Sequence, residues 1–303
     1  MIKRGHLIKT LFKNFYHHFS YLKYEEFVEA FCLFGGVEEG LKEYYIDDCL
    51  SFISTDFVEN FDAFEALVSP SYLFESPYCE LLQAVAQGDG KIQVVLNKAK
   101  LSASVGERLI EELHNLNVLE IEFSRETPLK VHPKQKLKRE YRSYKIQDKL
   151  RFNHPFLRFW FGFVEPYKKA LHSHKKERFT QNFKQHQERL TSLVYEQLCN
   201  DLLLQHFKDS SIVSSGSFWN IYTEFDILAV TKDKKIILGE CKYKERKVCK
   251  NELTKLKSKA IESGLKVDMF VLFSKRGFSN ELLQLKDKNL LLFDLEDLKV
   301  LLQ

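Results

Sequence analysis

Two spacings of apolar residues divide the chain. As far as Leu116 the apolar positions read mostly as helices, at intervals of three and four as in Val105, Leu109, Leu113 and Leu116. Towards the C-terminus, short apolar and β-branched runs between polar turns take over. The helical spacing predicts a helix over Glu25–Phe34 that breaks at Gly35-Gly36, then an amphipathic pair of helices between Asp47 and Leu67. Pro70 and Pro77 bracket a connector. Helices over Tyr78–Ala86, Ile92–Ala99 and Ala103–Leu116 follow, the last capped by Ser102, then a strand at 118–123 and another near 142–146. Residues 191–199 read as a helix. Glu224–Val230 and Ile236–Lys242 read as a hairpin, followed by a helix over Glu252–Ser263 and strands at 267–273 and 290–295. Strand–helix–strand order after a hairpin predicts a mixed sheet.

The hairpin carries the chemistry. A turn centred on Asp233 sets Asp226 opposite Glu240 and Glu224 opposite Lys242. By alternation all four share a face with Leu228, Val230, Ile236 and Leu238. Three carboxylates at one end of an apolar face are costly unless a cation or hydrogen bonds compensate them. Hard oxygen ligands of this kind suit Mg²⁺ or Mn²⁺, which polarises a phosphate and helps to generate hydroxide. Lys242 would orient the attacking water or offset transition-state charge. A cross-strand ion-pair cluster is the alternative reading of the same residues.

At this point the residues resemble the PD-(D/E)XK, restriction-endonuclease-like superfamily, whose motif is an acid on one strand and Asp/Glu-x-Lys on the next. Asp226 and Glu240-Cys241-Lys242 match it. The resemblance makes Asp226 and Glu240 the metal ligands, Glu224 an additional acid and Glu196 the carboxylate of the preceding helix.

Composition narrows the rest. At 303 residues and 44% hydrophobic, the chain has room for several domains with their own cores. With 12 Gly and 6 Pro against 26 Phe, long helices and few loops are expected. A net charge of +4 is mild, so its placement matters more than its size. Lys130, Lys134, Lys136, Lys138 and Arg139 crowd one loop, and Lys244, Arg246 and Lys247 extend the motif strand; both sets are candidates for phosphate contact. The six Cys include no C-x-x-C pair and read as reduced core thiols. No apolar run is long enough to span a bilayer, and Arg4, His6 and Lys9 interrupt any secretory segment. A cytoplasmic protein without membrane contact is expected. The aromatic stretch Pro155–Pro166 reads as helical core rather than a stacking surface.

Three helices, then two strands joined by a basic loop, is the plan of a winged helix-turn-helix. With the aromatic helix and the nuclease-like motif behind it, this order resembles the C-terminal part of the archaeal-type AAA-like ATPases, where a helical lid precedes it. Phe34-Gly35-Gly36-Val37 is similar to the lid's Gly-Gly-x-Pro signature, without the proline. The resemblance implies four segments: a lid-like helical region (1–76), a winged helix (77–150), an aromatic connector (151–185) and a nuclease-like domain (186–303). No G-x-x-x-x-G-K-[S/T] loop occurs, so no ATPase activity is expected and a separate ATPase subunit would be the partner.

The expectation is therefore an α+β multidomain protein with a C-terminal α/β/α domain built on a mixed sheet. Its expected activity is Mg²⁺-dependent (or Mn²⁺-dependent) hydrolysis of DNA. The alternative is a catalytically inactive DNA-binding or scaffold protein partnering a separate ATPase. The choice of DNA over RNA and the oligomeric state stay open at this level.

Overall fold

A computed structural model describes residues 7–130, 132, 134–208 and 212–303; Arg4 and His6 lie outside the described residues. The chain divides into two compact units. The first takes residues up to Ile121, Leu150–Asp201 and Leu298–Gln303; the second takes Glu122–Lys149 and Leu202–Asp297. The first unit thus groups the lid-like, three-helix and aromatic segments, while the basic loop belongs with the C-terminal strands.

Helices α1 (Leu7–Phe19), α2 (Tyr24–Phe34), α3 (Glu38–Leu41), α4 (Cys49–Phe52) and α5 (Phe61–Glu65) open the first unit. The break after α2 is the predicted one. Gly36 has φ +94°, a conformation open to glycine, and a Cβ there would meet His154 Nδ1 at 2.9 Å. Helices α6 (Tyr78–Ala86), α7 (Ile92–Lys98) and α8 (Ala103–Asn115) fall where the spacing places them. Ser102 caps α8, its hydroxyl accepting from the Val105 N–H at 3.4 Å. Strand β1 (Leu119–Glu122) pairs with β2 (Lys149–Phe152) in a two-stranded sheet.

The second of these strands differs from the expected one near 142–146. Leu150 and Phe152 are buried, whereas Arg142, Ser143, Lys145 and Ile146 are exposed and have no apolar face to fix them in a ladder. Gly90 seats the observed strand: it has φ +82°, its carbonyl accepts from the Leu150 N–H at 2.8 Å, and a Cβ would lie 2.5 Å from the Leu150 carbonyl oxygen.

Helices α9 (Pro155–Phe159), α10 (Lys168–His172) and α11 (Glu177–His206) follow. Between α9 and α10 the aromatic stretch continues as a π-helical turn, Trp160–Val164. It is core, as the sequence indicates. Fully buried Trp160 stacks on Phe61 at 5.5 Å and meets Phe57, Phe74 and Phe156 within 6.3 Å.

One buried acid in this unit is only partly compensated. Asp201 on α11 is 4% exposed and accepts from the Lys9 backbone N–H, while its Oδ2 finds no hydrogen-bond partner. Burial pushes its pKa up to about 7. In the unfolded chain this carboxyl releases its proton near pH 4. The stability it contributes is therefore complete below about pH 4 and lost as the pH rises through about 7. Asp201→Asn is expected to remove that pH dependence and stabilise the protein at pH 8 by a few kcal/mol. Urea denaturation at pH 5 and pH 8 measures it; equal destabilisation of the variant at both would refute it.

The second unit is built on strands β3 (Ile212–Ser214), β4 (Phe218–Trp219), β5 (Glu224–Phe225), β6 (Ile227–Thr231) and β7 (Ile236–Lys242). Helix α12 (Lys250–Glu262), strand β8 (Met269–Ser274), helix α13 (Asn280–Leu283) and strand β9 (Leu290–Asp294) complete it. Among the described residues the main sheet has the order β3-β6-β7-β8-β9. β6 is antiparallel to β3 and β7, whereas β7, β8 and β9 run parallel, which makes the sheet mixed as expected. One face, with Leu228, Leu238 and Leu272, packs on Leu253, Leu256 and Ala260 of α12. No described helix is long and apolar enough to cross a membrane.

Candidate metal and nucleic-acid site

The hairpin register is the predicted one: Leu228 pairs with Leu238 and Ile227 with Gly239. Asp226 and Glu240 come next along the chain from Ile227 and Gly239, where the apolar face ends. Asp226 sits in a bend between β5 and β6, and its Oδ2 accepts the Cys241 N–H at 2.8 Å. Burial, reinforced by the negative charge of Glu240, pushes its pKa up to about 6. Glu240 is 12% exposed and bound directly by the Lys242 ammonium. Burial opposes charge on Lys242, but Glu240 and then Asp226 outweigh it and raise the lysine's pKa. Two mutually repelling carboxylates and one ammonium thus meet at the sheet end. Asp226 keeps an oxygen beyond the one held by Cys241, so this donor set fits a hard divalent cation.

Glu224 departs from the expected geometry. The chain bends at Asp226, so Glu224 leaves the ladder with β7 and pairs instead with Trp219 of β4. Its Oε1 accepts from Lys149 Nζ at 2.5 Å. That lysine is fully buried and lies over the Trp219 ring at 4.5 Å from the centroid. A buried ammonium requires a counter-charge, and Glu224 supplies it. Glu224→Ala is expected to cost about 1–3 kcal/mol of stability while leaving any hydrolysis rate intact. Urea melts and a rate assay on the same sample check both halves; unchanged stability with lost turnover would return Glu224 to the site.

Glu196 belongs to the other compact unit. It is half-buried on α11 in the first unit, where its charge supports the buried Arg158 guanidinium. Among the described residues, no group of three metal-capable side chains with ligand atoms within 4.8 Å of one another includes Asp226 or Glu240. Such groups in the first unit include Asp62, Glu65 and His172, and Glu65 there is also paired to Lys168 at 2.5 Å.

Beyond Lys242 the chain lines an open cleft of about 210 Å³ with Lys244, Arg246 and Lys247, joined by Glu252 and Lys255 of α12. Lys255 is held by Glu252 at 3.2 Å; Lys244, Arg246 and Lys247 are exposed and make no ion pair among the described residues. Val248 fixes the segment's far end, its N–H donating to the Gly277 carbonyl at 3.0 Å and its carbonyl accepting from Ser279 at 2.9 Å.

The other basic set is on the same unit. Lys130, Lys134, Lys136, Lys138 and Arg139 are all exposed, and the segment carrying them is strapped down at both ends. Arg125 donates to the carbonyls of Leu228, Gly216 and Ser217 at 2.7–2.8 Å. At the other end the Trp219 indole N–H donates to the Gln147 carbonyl at 2.9 Å, beside the Lys149–Glu224 pair. Sequence reading missed Arg125, Lys149 and Trp219. The one available signal was a lysine directly before the apolar positions Leu150 and Phe152, which does not name its partner.

A family described as Archaea bacterial proteins of unknown function matches residues 160–258, about a third of the chain. The matched stretch runs from the aromatic turn to α12 and contains Asp226, Glu240 and Lys242. It is compatible with the C-terminal part of the archaeal-type AAA-like proteins that the sequence resembles. No curated protein and no solved structure matches.

Proposed function

We propose that the second unit is a nuclease that hydrolyses phosphodiester bonds of DNA with the aid of Mg²⁺ or Mn²⁺. The observation that carries this reading is that Asp226 and Glu240 both follow the last β6–β7 pair, Ile227 with Gly239, beside Lys242 and a cleft where Lys244, Arg246 and Lys247 make no ion pair among the described residues. In this reading the unit is restriction-endonuclease-like, and α6–α8 with β1 and β2 are a winged helix. Asp226 and Glu240 would hold the ion, which when bound polarises the phosphate and acidifies water. Lys242, released from full engagement with Glu240, directs its ammonium to the phosphate oxygens or the attacking water. Lys244, Arg246 and Lys247 bind backbone phosphates on the approach to the site, and the 130–139 cations extend the same positive surface.

A second reading has its own support. Glu224 is committed to Lys149, and Lys242 already neutralises Glu240. Asp226, Glu240 and Lys242 would then be a structural ion-pair cluster in an inactive DNA-binding or scaffold protein, with a separate ATPase as its partner. Thermal melts with and without Mg²⁺ or Mn²⁺ separate the two. The nuclease reading expects metal to raise the melting temperature of the wild type and of Lys242→Ala but not of Asp226→Ala. A wild type indifferent to both metals, together with a large metal-independent drop in Lys242→Ala, would establish the ion-pair cluster instead.

A further inference from the structure

Tyr222 is 61% exposed in the turn between β4 and β5, four residues before Asp226. An aromatic ring this exposed is usually mobile, yet this turn is tightly held. Asn220 Oδ1 accepts from the N–H groups of both Tyr222 and Thr223 at 2.8 Å, and the Asn220 N–H donates to the Thr223 carbonyl at 2.9 Å. The Ile221 N–H donates to Glu126 Oε1 at 3.3 Å, while Glu126 Oε2 takes the Tyr144 hydroxyl. Glu126, itself held by Tyr144, therefore anchors the turn.

The basic segment sets Tyr141 against Tyr222, ring centroids 6.0 Å apart and nearly perpendicular. An edge-to-face contact leaves at least one face of Tyr222 uncovered. The exposed pair Tyr21 and Tyr45 differs, since those rings stack at 5.2 Å and 14° and so cover each other. Tyr141 follows the exposed cations Lys138 and Arg139, and Lys145 is exposed four residues later.

We propose that Tyr222, braced by Tyr141 and flanked by the cations of the 130–145 segment, is a stacking platform for an unpaired base of single-stranded nucleic acid. A rigid ring with an open face loses little entropy on stacking, and nearby lysines and arginines meet the phosphates on either side. Within a duplex both faces of each base are already stacked, so only an unpaired base can use the ring. The proposal deepens the nuclease reading and rests on it for the purpose of binding, but not for the binding itself.

The test is fluorescence anisotropy with labelled twenty-nucleotide oligothymidine, its ribo-oligomer counterpart and a DNA duplex of the same length, in chelator so that no cleavage occurs. Tyr222→Ala is expected to weaken single-strand binding about fivefold to a hundredfold, Tyr222→Trp to preserve it, and neither to change duplex affinity. Equal losses on the deoxy- and ribo-oligomers would show stacking common to both sugars; a loss on the deoxy-oligomer alone would assign DNA. Wild-type single-strand affinity in Tyr222→Ala, an equal fall on the duplex, or no single-strand binding by the wild type would overturn the proposal. Absence of metal-dependent cleavage alongside Tyr222-dependent binding would remove the nuclease reading and leave the platform standing.

Discussion

Replacing Lys242 by alanine is expected to cut the hydrolysis rate at saturating metal about a hundredfold or more. Losing one preorganised donor to a developing negative charge costs about 3 kcal/mol of transition-state stabilisation. The fold should survive, because Lys242 is 22% exposed and Glu240, which it binds, gains a metal as an alternative counter-charge. The expected signature is a fall in kcat with little change in the metal concentration for half-maximal rate. A variant that loses metal affinity and rate together would show Lys242 building the site rather than acting in it. Lys242→Arg should rescue poorly, since a planar guanidinium does not reproduce the compact ammonium.

The largest effect on stability is expected far from this chemistry. Trp160→Ala removes the ring at the centre of the first unit, where it is fully buried among Phe57, Phe61, Phe74 and Phe156 and its indole N–H donates to Glu165 at 2.9 Å. Truncating a buried aromatic of this size costs about 3–5 kcal/mol, from lost burial plus the cavity left behind. Calorimetry measures it as a fall in melting temperature. Trp160→Phe should recover most of the loss, because the surrounding rings then have a partner of similar shape. A small effect of the alanine variant would mean that the aromatic stretch collapses around the gap.

Local structure was readable where periodicity and punctuation agreed. Helices α6, α7 and α8 end within a residue of their predicted limits, because Gly88, Ser102 and Asn117 mark breaks in the apolar spacing. The β6–β7 register followed from alternation across a short turn. Readability failed where a partner distant in sequence decided the outcome. The second strand of the β1–β2 sheet formed around Leu150 and Phe152 because burial, not turn position, fixes register. Glu224 was expected opposite Lys242 because alternation assumes an unbroken strand. The bend at Asp226 and the buried Lys149 ammonium drew it away instead, and neither can be seen in the hairpin's own residues. Nor do the residues of the basic 130–139 loop show that its flanking segment is bound through Arg125 to the Leu228 carbonyl and through the Gln147 carbonyl to Trp219.

The central claim is that Asp226 and Glu240 form a metal-dependent phosphodiesterase centre. It is tested most directly by incubating the purified full-length protein with supercoiled plasmid in Mg²⁺, in Mn²⁺ and in chelator, alongside Asp226→Ala. The account predicts nicked and linear products with the wild type in at least one metal, none in chelator, and at least a hundredfold less from Asp226→Ala. Intact plasmid with the wild type in both metals, or cleavage by Asp226→Ala at the wild-type rate, would contradict it.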